Sequence, residues 1–318
     1  GKEYPNALSG FFFVNSMIIA IDGYEANVER RVGIGRFAYE MLRHMYEIVK
    51  RRTDGGEGLS FRIYLPSAPR TDMPPVTNWW QYRVIPVPKL WTFVGLPFAL
   101  LRDRPRADVI FSPTHYIPRW TGITKVMAIM DLSYMHFPDL FRTRDLHQLR
   151  EWTKYSVRHA AKIFTISEFS RNAIMETYRV PAQRILVTYP GLTMDKLQKR
   201  LTKGALQKKY GLSARYILSV GTLQPRKNFE KLIEAFALLG GNVKDTSLVI
   251  IGKKGWLYDE ILAAPKKYGV EDRVQFLDFV PDEDLPSFYS EADCFVLPSL
   301  YEGFGLPVLE AMAYRCPV

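Results

Sequence analysis

The run Tyr216-Ile217-Leu218-Ser219-Val220, followed by Gly221-Thr222-Leu223-Gln224-Pro225-Arg226-Lys227-Asn228, decides the fold. A short, almost wholly apolar segment leads through a glycine-led turn into a helix-like stretch, Asn228 to Leu239. That is the strand, turn and helix unit of a parallel sheet covered on both faces. It is also a restart. Upstream lie Pro190-Gly191 and a polar stretch carrying Lys196, Lys199, Arg200, Lys203, Lys208 and Lys209, which reads as a linker. Before the linker, strand-like runs fall at Met17–Ile21, Phe61–Leu65, Tyr82–Val87, Asp108–Phe111, Lys125–Ile129, Lys162–Ile166 and Arg184–Thr188. After it they fall at Tyr216–Val220, Ser247–Ile251, Val274–Leu277 and Asp293–Leu297. Helix-like stretches alternate with them at Gly35–Arg51, Asp145–Ala161, Ser167–Tyr178, Asn228–Leu239, Leu257–Lys267 and Asp282–Glu291. The expectation is an α/β chain of two doubly wound domains in tandem, facing a cleft at the carboxyl ends of their strands, where open sheets of this kind bind ligands.

The expected domains are an extension over 1–16, a first domain over 17–191, the linker over 192–211 and a second domain over 212–318. Met17 reads as a natural start. The second domain is expected to be incomplete, because Cys316-Pro317-Val318 begins what reads as another strand.

Composition excludes several classes. With 318 residues, 47% apolar and 24% charged, the chain is globular rather than disordered. Two cysteines, Cys294 and Cys316, form neither a disulfide framework nor a metal-ligand spacing, so a reducing cytoplasm is the default. The apolar runs Phe11–Ile21 and Leu90–Leu101 fall short of the roughly 20 residues of a spanning helix. The first sixteen residues carry one Lys, Phe11-Phe12-Phe13 and no small-residue cleavage site, a poor secretory signal. Net charge is +10, and it is uneven: residues 1–200 hold 29 Lys and Arg against 18 Asp and Glu, residues 201–318 hold 14 against 15. A basic first half suits either an anionic partner or a solvated surface. No nucleic-acid-binding motif accompanies it, so nucleic acid is not expected. The segment Leu90–Leu101, flanked by Lys89 and Arg102, suits peripheral contact with an anionic membrane at the inner face of the cell membrane, or packing in the core.

Three places could carry chemistry. Gly33-Ile34-Gly35-Arg36-Phe37-Ala38 opens a helix, where glycines let backbone approach an anion or merely permit a turn. It follows its strand too late, and the next strand ends without an acid, so a dinucleotide-dependent dehydrogenase is disfavoured. Arg226-Lys227 stands after a strand at a helix start, suited to gripping a diphosphate, or to a solvated helix face. The most specific is Tyr301-Glu302-Gly303-Phe304-Gly305-Leu306-Pro307-Val308-Leu309-Glu310: a glycine-rich loop with Pro307 in the first turn of the helix that follows. Glu302 and Glu310 can each accept two hydroxyls, or serve as a capping acid and a solvated one.

These residues resemble a family. Glu302 to Glu310 matches the E-x7-E motif of retaining glycosyltransferases with the GT-B fold, and Gly221 to Asn228 is similar to their G-T-L-x-P-R-K-N segment. The resemblance is to family 4, the glycosyl transferases group 1, and to its bacterial mannosyltransferase-like members. Asp108 to Pro118, Ser167-Glu168-Phe169-Ser170 and Phe279-Val280-Pro281 support it. It implies two Rossmann-like domains and transfer of a hexose, mannose foremost, from a nucleotide-diphosphate sugar to a saccharide or lipid-linked acceptor in cell-surface polysaccharide synthesis. Arg226 and Lys227 would neutralise the leaving diphosphate, Glu302 would hold the sugar hydroxyls and Glu310 the ribose. Gly303, Phe304, Gly305 and Leu306 would line the sugar and phosphates, Gly33 and Gly35 the opposite wall. No metal or cofactor is implied, GDP-mannose is the favoured donor, and Asp282-Glu283-Asp284 reads as the capped start of a helix rather than a metal site. Where the family reads His-Asp-Leu, this chain has Met130-Asp131-Leu132, and a thioether cannot donate a hydrogen bond. His136 or His115 would have to take over, or the protein would bind nucleotide sugar without turning it over.

Overall fold

A computed structural model describes residues 17–29, 31, 33–52, 58–87, 90–192, 201–243 and 245–318. The expectations placed on 1–16, Lys89, Lys196, Lys199 and Arg200 lie outside the described residues. The chain forms two compact units. One holds the residues up to Met130, Gln148–Thr165 and Ile174–Val187; the other holds Asp131–His147, Ile166–Ala173 and Thr188–Val318.

The first unit is built on seven parallel strands: β1 (Met17–Asp22), β2 (Leu59–Leu65), β3 (Trp80–Val84), β4 (Val109–Ser112), β5 (Thr124–Ile129), β6 (Lys162–Thr165) and β7 (Ile185–Val187). Their order is β3-β2-β1-β4-β5-β6-β7, so the strand order reverses between β1 and β4. Alternation along β1 sends Ile19 and Ile21 to one face and Ile18 and Ala20 to the other. Helix α1 (Ile34–Lys50) buries Ala38, Leu42, Tyr46 and Val49, a helical spacing, against Phe61, Ile63, Leu65 and Trp80 on the first face. Helix α2 (Leu96–Arg102), entered through a π turn over Trp91–Gly95, covers the second face with Trp91, Leu96 and Leu100. No helix is expected there, because an uninterrupted apolar run shows no period; Pro97 stands where the π turn passes into α2.

The helical turn α3 (Ser133–His136) and helices α4 (Thr143–His159) and α5 (Glu168–Tyr178) follow. The second unit's sheet comprises β8 (Arg215–Val220), β9 (Thr246–Ile251), β10 (Val274–Leu277) and β11 (Cys294–Phe295), all parallel in the order β10-β9-β8-β11. Here α6 (Lys203–Tyr210), α9 (Leu285–Glu291) and α10 (Leu306–Ala313) lie on one face, bringing Leu206, Phe288, Tyr289 and Ala311 onto Tyr216, Leu218, Val249 and Ile251. On the other, α7 (Phe229–Leu238) and α8 (Asp259–Lys267) bring Phe229, Ile233, Phe236 and Ile261 onto Leu248 and Ile250.

All eleven expected strands form. Three further details differ. Residues 203–210, expected as linker, are helical: Thr202 caps the N-terminus through its Oγ1, Gly211 ends the helix at φ 65°, and Leu206 is its buried residue. Asp282-Glu283-Asp284 precedes α9 rather than opening it, and Asp284 makes no capping bond; its carboxylate accepts from Lys209 Nζ at 2.6 Å and from the Tyr210 hydroxyl, tying α6 to α9. Cys316–Val318 is not a strand, although the Pro317 carbonyl accepts from the Phe295 N–H at 2.7 Å.

Candidate active site

In the second unit the strand order reverses between β8 and β11, and ligands of such sheets bind outside the carboxyl ends at that point. The two loops leaving those ends are Gly221–Asn228 and the run from Val296 to Gly305. They are fastened to each other: Leu300 N–H donates to the Arg226 carbonyl at 3.0 Å, and Asn228 Nδ2 to the Pro298 carbonyl at 3.1 Å. Residues 225–227 form a 3-10 turn that ends on Asn228 in the left-handed region, at φ 58°. That turn folds Lys227 back over Gly221, where a Cβ would lie 3.4 Å from Lys227 Cε.

Three expected residues come together here. Lys227 Nζ lies 2.5 Å from Glu302 Oε1, and Arg226 Nη1 lies 3.4 Å from Glu302 Oε2 while also donating to the Tyr301 carbonyl. The side chains of Arg226, Lys227 and Glu302 are 12, 11 and 22% exposed. Two cations and one carboxylate, largely withdrawn from water, leave a net positive charge able to attract a diphosphate. Glu302, expected to hold sugar hydroxyls, is the internal counterion of both cations.

The remaining loop residues are placed as a helix entry. Gly305 caps α10 at φ 90°, which only glycine adopts without strain, and Pro307 sits in its first turn, as expected. The Gly303 carbonyl accepts from Ser167 Oγ at 2.5 Å and Ser170 Oγ at 3.3 Å, and Ser167 Oγ in turn accepts from the Ser170 N–H at the start of α5. Glu310 lies on α10, and its Oε2 accepts from the Tyr289 hydroxyl at 2.8 Å. Burial, together with that carboxylate, pushes the Tyr289 phenol far above its ordinary range. Tyr301 is buried among His136, stacked on it at 5.1 Å, Phe169 at 5.1 Å and Phe137 at 6.1 Å. Burial, with Asp131 adding to it, raises the Tyr301 phenol to about 12.

Sequence reasoning missed three features. One is the carbonyl clasp of Ser167 and Ser170. Another is Tyr289 as the partner of Glu310. The third is a 320 Å³ cavity lined by Leu223, Gly252, Lys254, Leu262, Phe276 and Asp278, beyond the carboxyl ends of β9 and β10. At Gly252 a Cβ would fall 1.8 Å from the Gly221 carbonyl oxygen, so the glycine permits the ends of β8 and β9 to meet.

Gly33 and Gly35 belong to the first unit, at the start of α1. Gly33 has φ 51° and open space around it. At Gly35 a Cβ would meet the Glu25 carbonyl at 3.0 Å, so the glycine lets the protein's own backbone approach closely there. Met130 follows β5 and packs against the core cluster of α1. His136, one of the two replacements considered for the family His, is the stacking partner of Tyr301, whereas His115 lies in the first unit beside Tyr116. Among the described residues no group of three or more His, Cys, Asp and Glu could hold a metal ion.

Comparison with known proteins agrees with this geometry. Residues 204–318 match the sequence profile of the glycosyl transferases group 1. Over 300 residues the chain is 30% identical to the O-antigen chain mannosyltransferase B of Escherichia coli, covering 90% of this chain and 77% of that protein. Among solved structures it is similar to WaaG, a glycosyltransferase involved in lipopolysaccharide biosynthesis, with a TM-score of 0.67, 19% identity and coverage of 94% of this chain and 80% of that one. It is likewise similar to Anabaena HepE in complex with UDP-glucose, with a TM-score of 0.65, 19% identity and coverage of 95% and 79%. These last two likenesses carry the fold, two Rossmann-like domains of the GT-B type. With that relative spanning nine-tenths of the sequence, the chain belongs to the glycosyl transferases group 1 family and is a glycosyltransferase.

Proposed function

We propose that the protein is a retaining, metal-independent hexosyltransferase that moves mannose from GDP-mannose to a saccharide or lipid-linked saccharide in cell-surface polysaccharide synthesis. The observation that carries the reading is the cluster of Arg226, Lys227 and Glu302 at the strand-order reversal of the second unit. A glycosyl diphosphate reacts only if the charge growing on the departing diphosphate is stabilised, and two cations fixed beside a helix start supply that without a metal. The bond from the sugar's anomeric carbon to the diphosphate oxygen breaks, and a bond from the acceptor hydroxyl forms on the same face. A phosphate oxygen of the leaving group takes the acceptor's proton. Glu302, released from the cations by the diphosphate, holds sugar hydroxyls. Glu310, oriented by Tyr289, takes the ribose, and the cavity of Lys254 and Asp278 takes the base. The name of the E. coli relative supports mannose and O-antigen chain synthesis.

Incubation with labelled GDP-mannose, UDP-glucose and further donors tests this. Transfer from GDP-mannose, unaffected by EDTA and giving a product with the donor's anomeric configuration, is expected. Neither transfer nor hydrolysis with any donor would overturn it.

Met130 supports a second reading, a nucleotide-sugar-binding protein without turnover, because its thioether packs on the core where the family carries a hydrogen-bonding His. Under it, calorimetry shows donor binding without product, and Met130→His raises activity. An unaltered rate in that variant removes Met130 from the argument.

A further inference from the structure

We propose that the outer face of the helix formed by the π turn at Trp91 and by α2 docks on an anionic lipid bilayer. Its inner face is accounted for: Trp91, Leu96 and Leu100 pack on Ile18, Ala20 and Tyr64, and Trp91 Nε1 donates to Asp22 Oδ1 at 2.8 Å. Its outer face is equally apolar and bare. Leu90 at the cap and Val94, Phe98 and Leu101 in the helix are 65, 51, 55 and 36% exposed, the last three at the intervals of four and three that align side chains along one face. A surface helix ordinarily turns a polar face outward; one apolar all round is made to be covered on both sides. Core packing and membrane contact, alternatives in the sequence, thus fall on opposite faces.

The charges around it select the occupant. Residues 82–107 contain Arg83, Lys89, Arg102, Arg104 and Arg106 against one acid, Asp103. That acid is already engaged by Arg62 at 3.1 Å, Arg83 at 3.4 Å and the Tyr64 hydroxyl at 2.8 Å. Arg102, Arg104 and Arg106 are exposed at the helix's end, with the Arg102 guanidinium 5.1 Å from the centre of the Phe98 ring. Exposed Trp120 is next to Arg119, whose guanidinium lies 5.0 Å from the Phe93 ring, so a tryptophan stands beside the same helix. Aliphatic and aromatic side chains flanked by arginines and a tryptophan are the composition of a helix lying in a bilayer interface, its cations among anionic headgroups. A second copy packed on the same face would bring like-charged arginine clusters together. At twelve residues the helix lies in the interface and does not span it.

Co-sedimentation of the full chain with phosphatidylcholine vesicles, with and without phosphatidylglycerol, tests this without any donor, so its outcome is separate from that of the transferase reading. Binding is expected only to the anionic vesicles and should fall with added salt. Val94→Ser/Phe98→Ser should lower the partition coefficient at least about tenfold with an unchanged melting midpoint, and Arg102→Gln, Arg104→Gln and Arg106→Gln about fivefold each. Sedimentation with neither vesicle, equal sedimentation of the apolar double variant, or a dimer in solution that this variant abolishes would each overturn the proposal, the last by making the face a protein interface.

Discussion

Glu302→Gln separates the pairing of this side chain with Arg226 and Lys227 from its proposed hold on the sugar hydroxyls, because the expected effects on binding and on transfer have opposite signs. The change keeps the shape and removes the counterion of Arg226 and Lys227, whose side chains are only 12 and 11% exposed. Breaking a fully buried ion pair costs about 3–5 kcal/mol and an exposed one about 0–1 kcal/mol. With about a tenth to a fifth of each partner exposed, the cost here is about 1–3 kcal/mol. A diphosphate entering the variant relieves that cost, whereas in the unaltered protein it must first displace the carboxylate. GDP or UDP, which carry no sugar, should therefore bind about 5- to 150-fold tighter to the variant, at about 1.4 kcal/mol per tenfold. Transfer moves the other way. A hydrogen bond to a charged acceptor contributes about 1.5–3 kcal/mol, so kcat/KM with the sugar nucleotide should fall about 10- to 150-fold. Calorimetry with GDP and UDP, beside a labelled-donor transfer assay, reads both. If the variant binds nucleoside diphosphate no better, Glu302 does not compete with the diphosphate for the cations, and the counterion argument fails.

Burial raises the Asp22 carboxyl to about 6 from an ordinary 3.8, so between these values the folded protein binds more protons than the unfolded chain and loses stability as pH rises. Asp22→Asn should remove that loss and gain about 3 kcal/mol at pH 7.5, with little change near pH 4; urea melts at both pH values check it. Gly252→Ala places a Cβ 1.8 Å from the Gly221 oxygen, and the backbone must shift at a cost of at least about 2–3 kcal/mol, visible as a lower melting midpoint. Tyr289→Phe takes away the hydroxyl that orients Glu310. Donor KM should rise about 10- to 150-fold while kcat changes little, for a lost charged hydrogen bond of about 1.5–3 kcal/mol. Ser167→Ala with Ser170→Ala removes both donors to the Gly303 carbonyl and should lower kcat more than it lowers the melting midpoint, measured by steady-state transfer and thermal scans.

Most strands were legible because burial on both faces is a local property that leaves a short apolar run between turn residues; β3, Trp80-Gln81-Tyr82-Arg83-Val84, is only partly apolar and begins two residues before the expected Tyr82. Arg226, Lys227 and the Glu302 loop were legible for a related reason, since each follows a strand directly and the topology brings the ends of β8 and β11 side by side. What a single stretch does not contain is the partner of a side chain. Ser167 meets Gly303 across 136 residues, and Tyr289 meets Glu310 from a neighbouring helix. Helix α6 escaped notice because its only deeply buried residue is Leu206, too little for a period. Asp282-Glu283-Asp284 reads as a capped helix start because such positions favour acids, yet Lys209 and Tyr210 claim the Asp284 carboxylate, and neither is near it in sequence.

Glu302 carries this further. Its place in the sequence suggests a carboxylate waiting for sugar hydroxyls, and the structure gives that carboxylate to Arg226 and Lys227. The two are compatible if one binding event exchanges partners. The diphosphate takes the cations, the carboxylate is released, and only then does an acceptor for hydroxyls exist. An ion pair within the protein is replaced by two contacts to the donor, so each charged group has a hydrogen-bonding partner before the exchange and after it. Such an exchange makes the sugar's contact with Glu302 conditional on the diphosphate. A free hexose should therefore bind weakly to the empty protein, and a nucleoside diphosphate should strengthen its binding, because the linkage between the two ligands runs through one carboxylate.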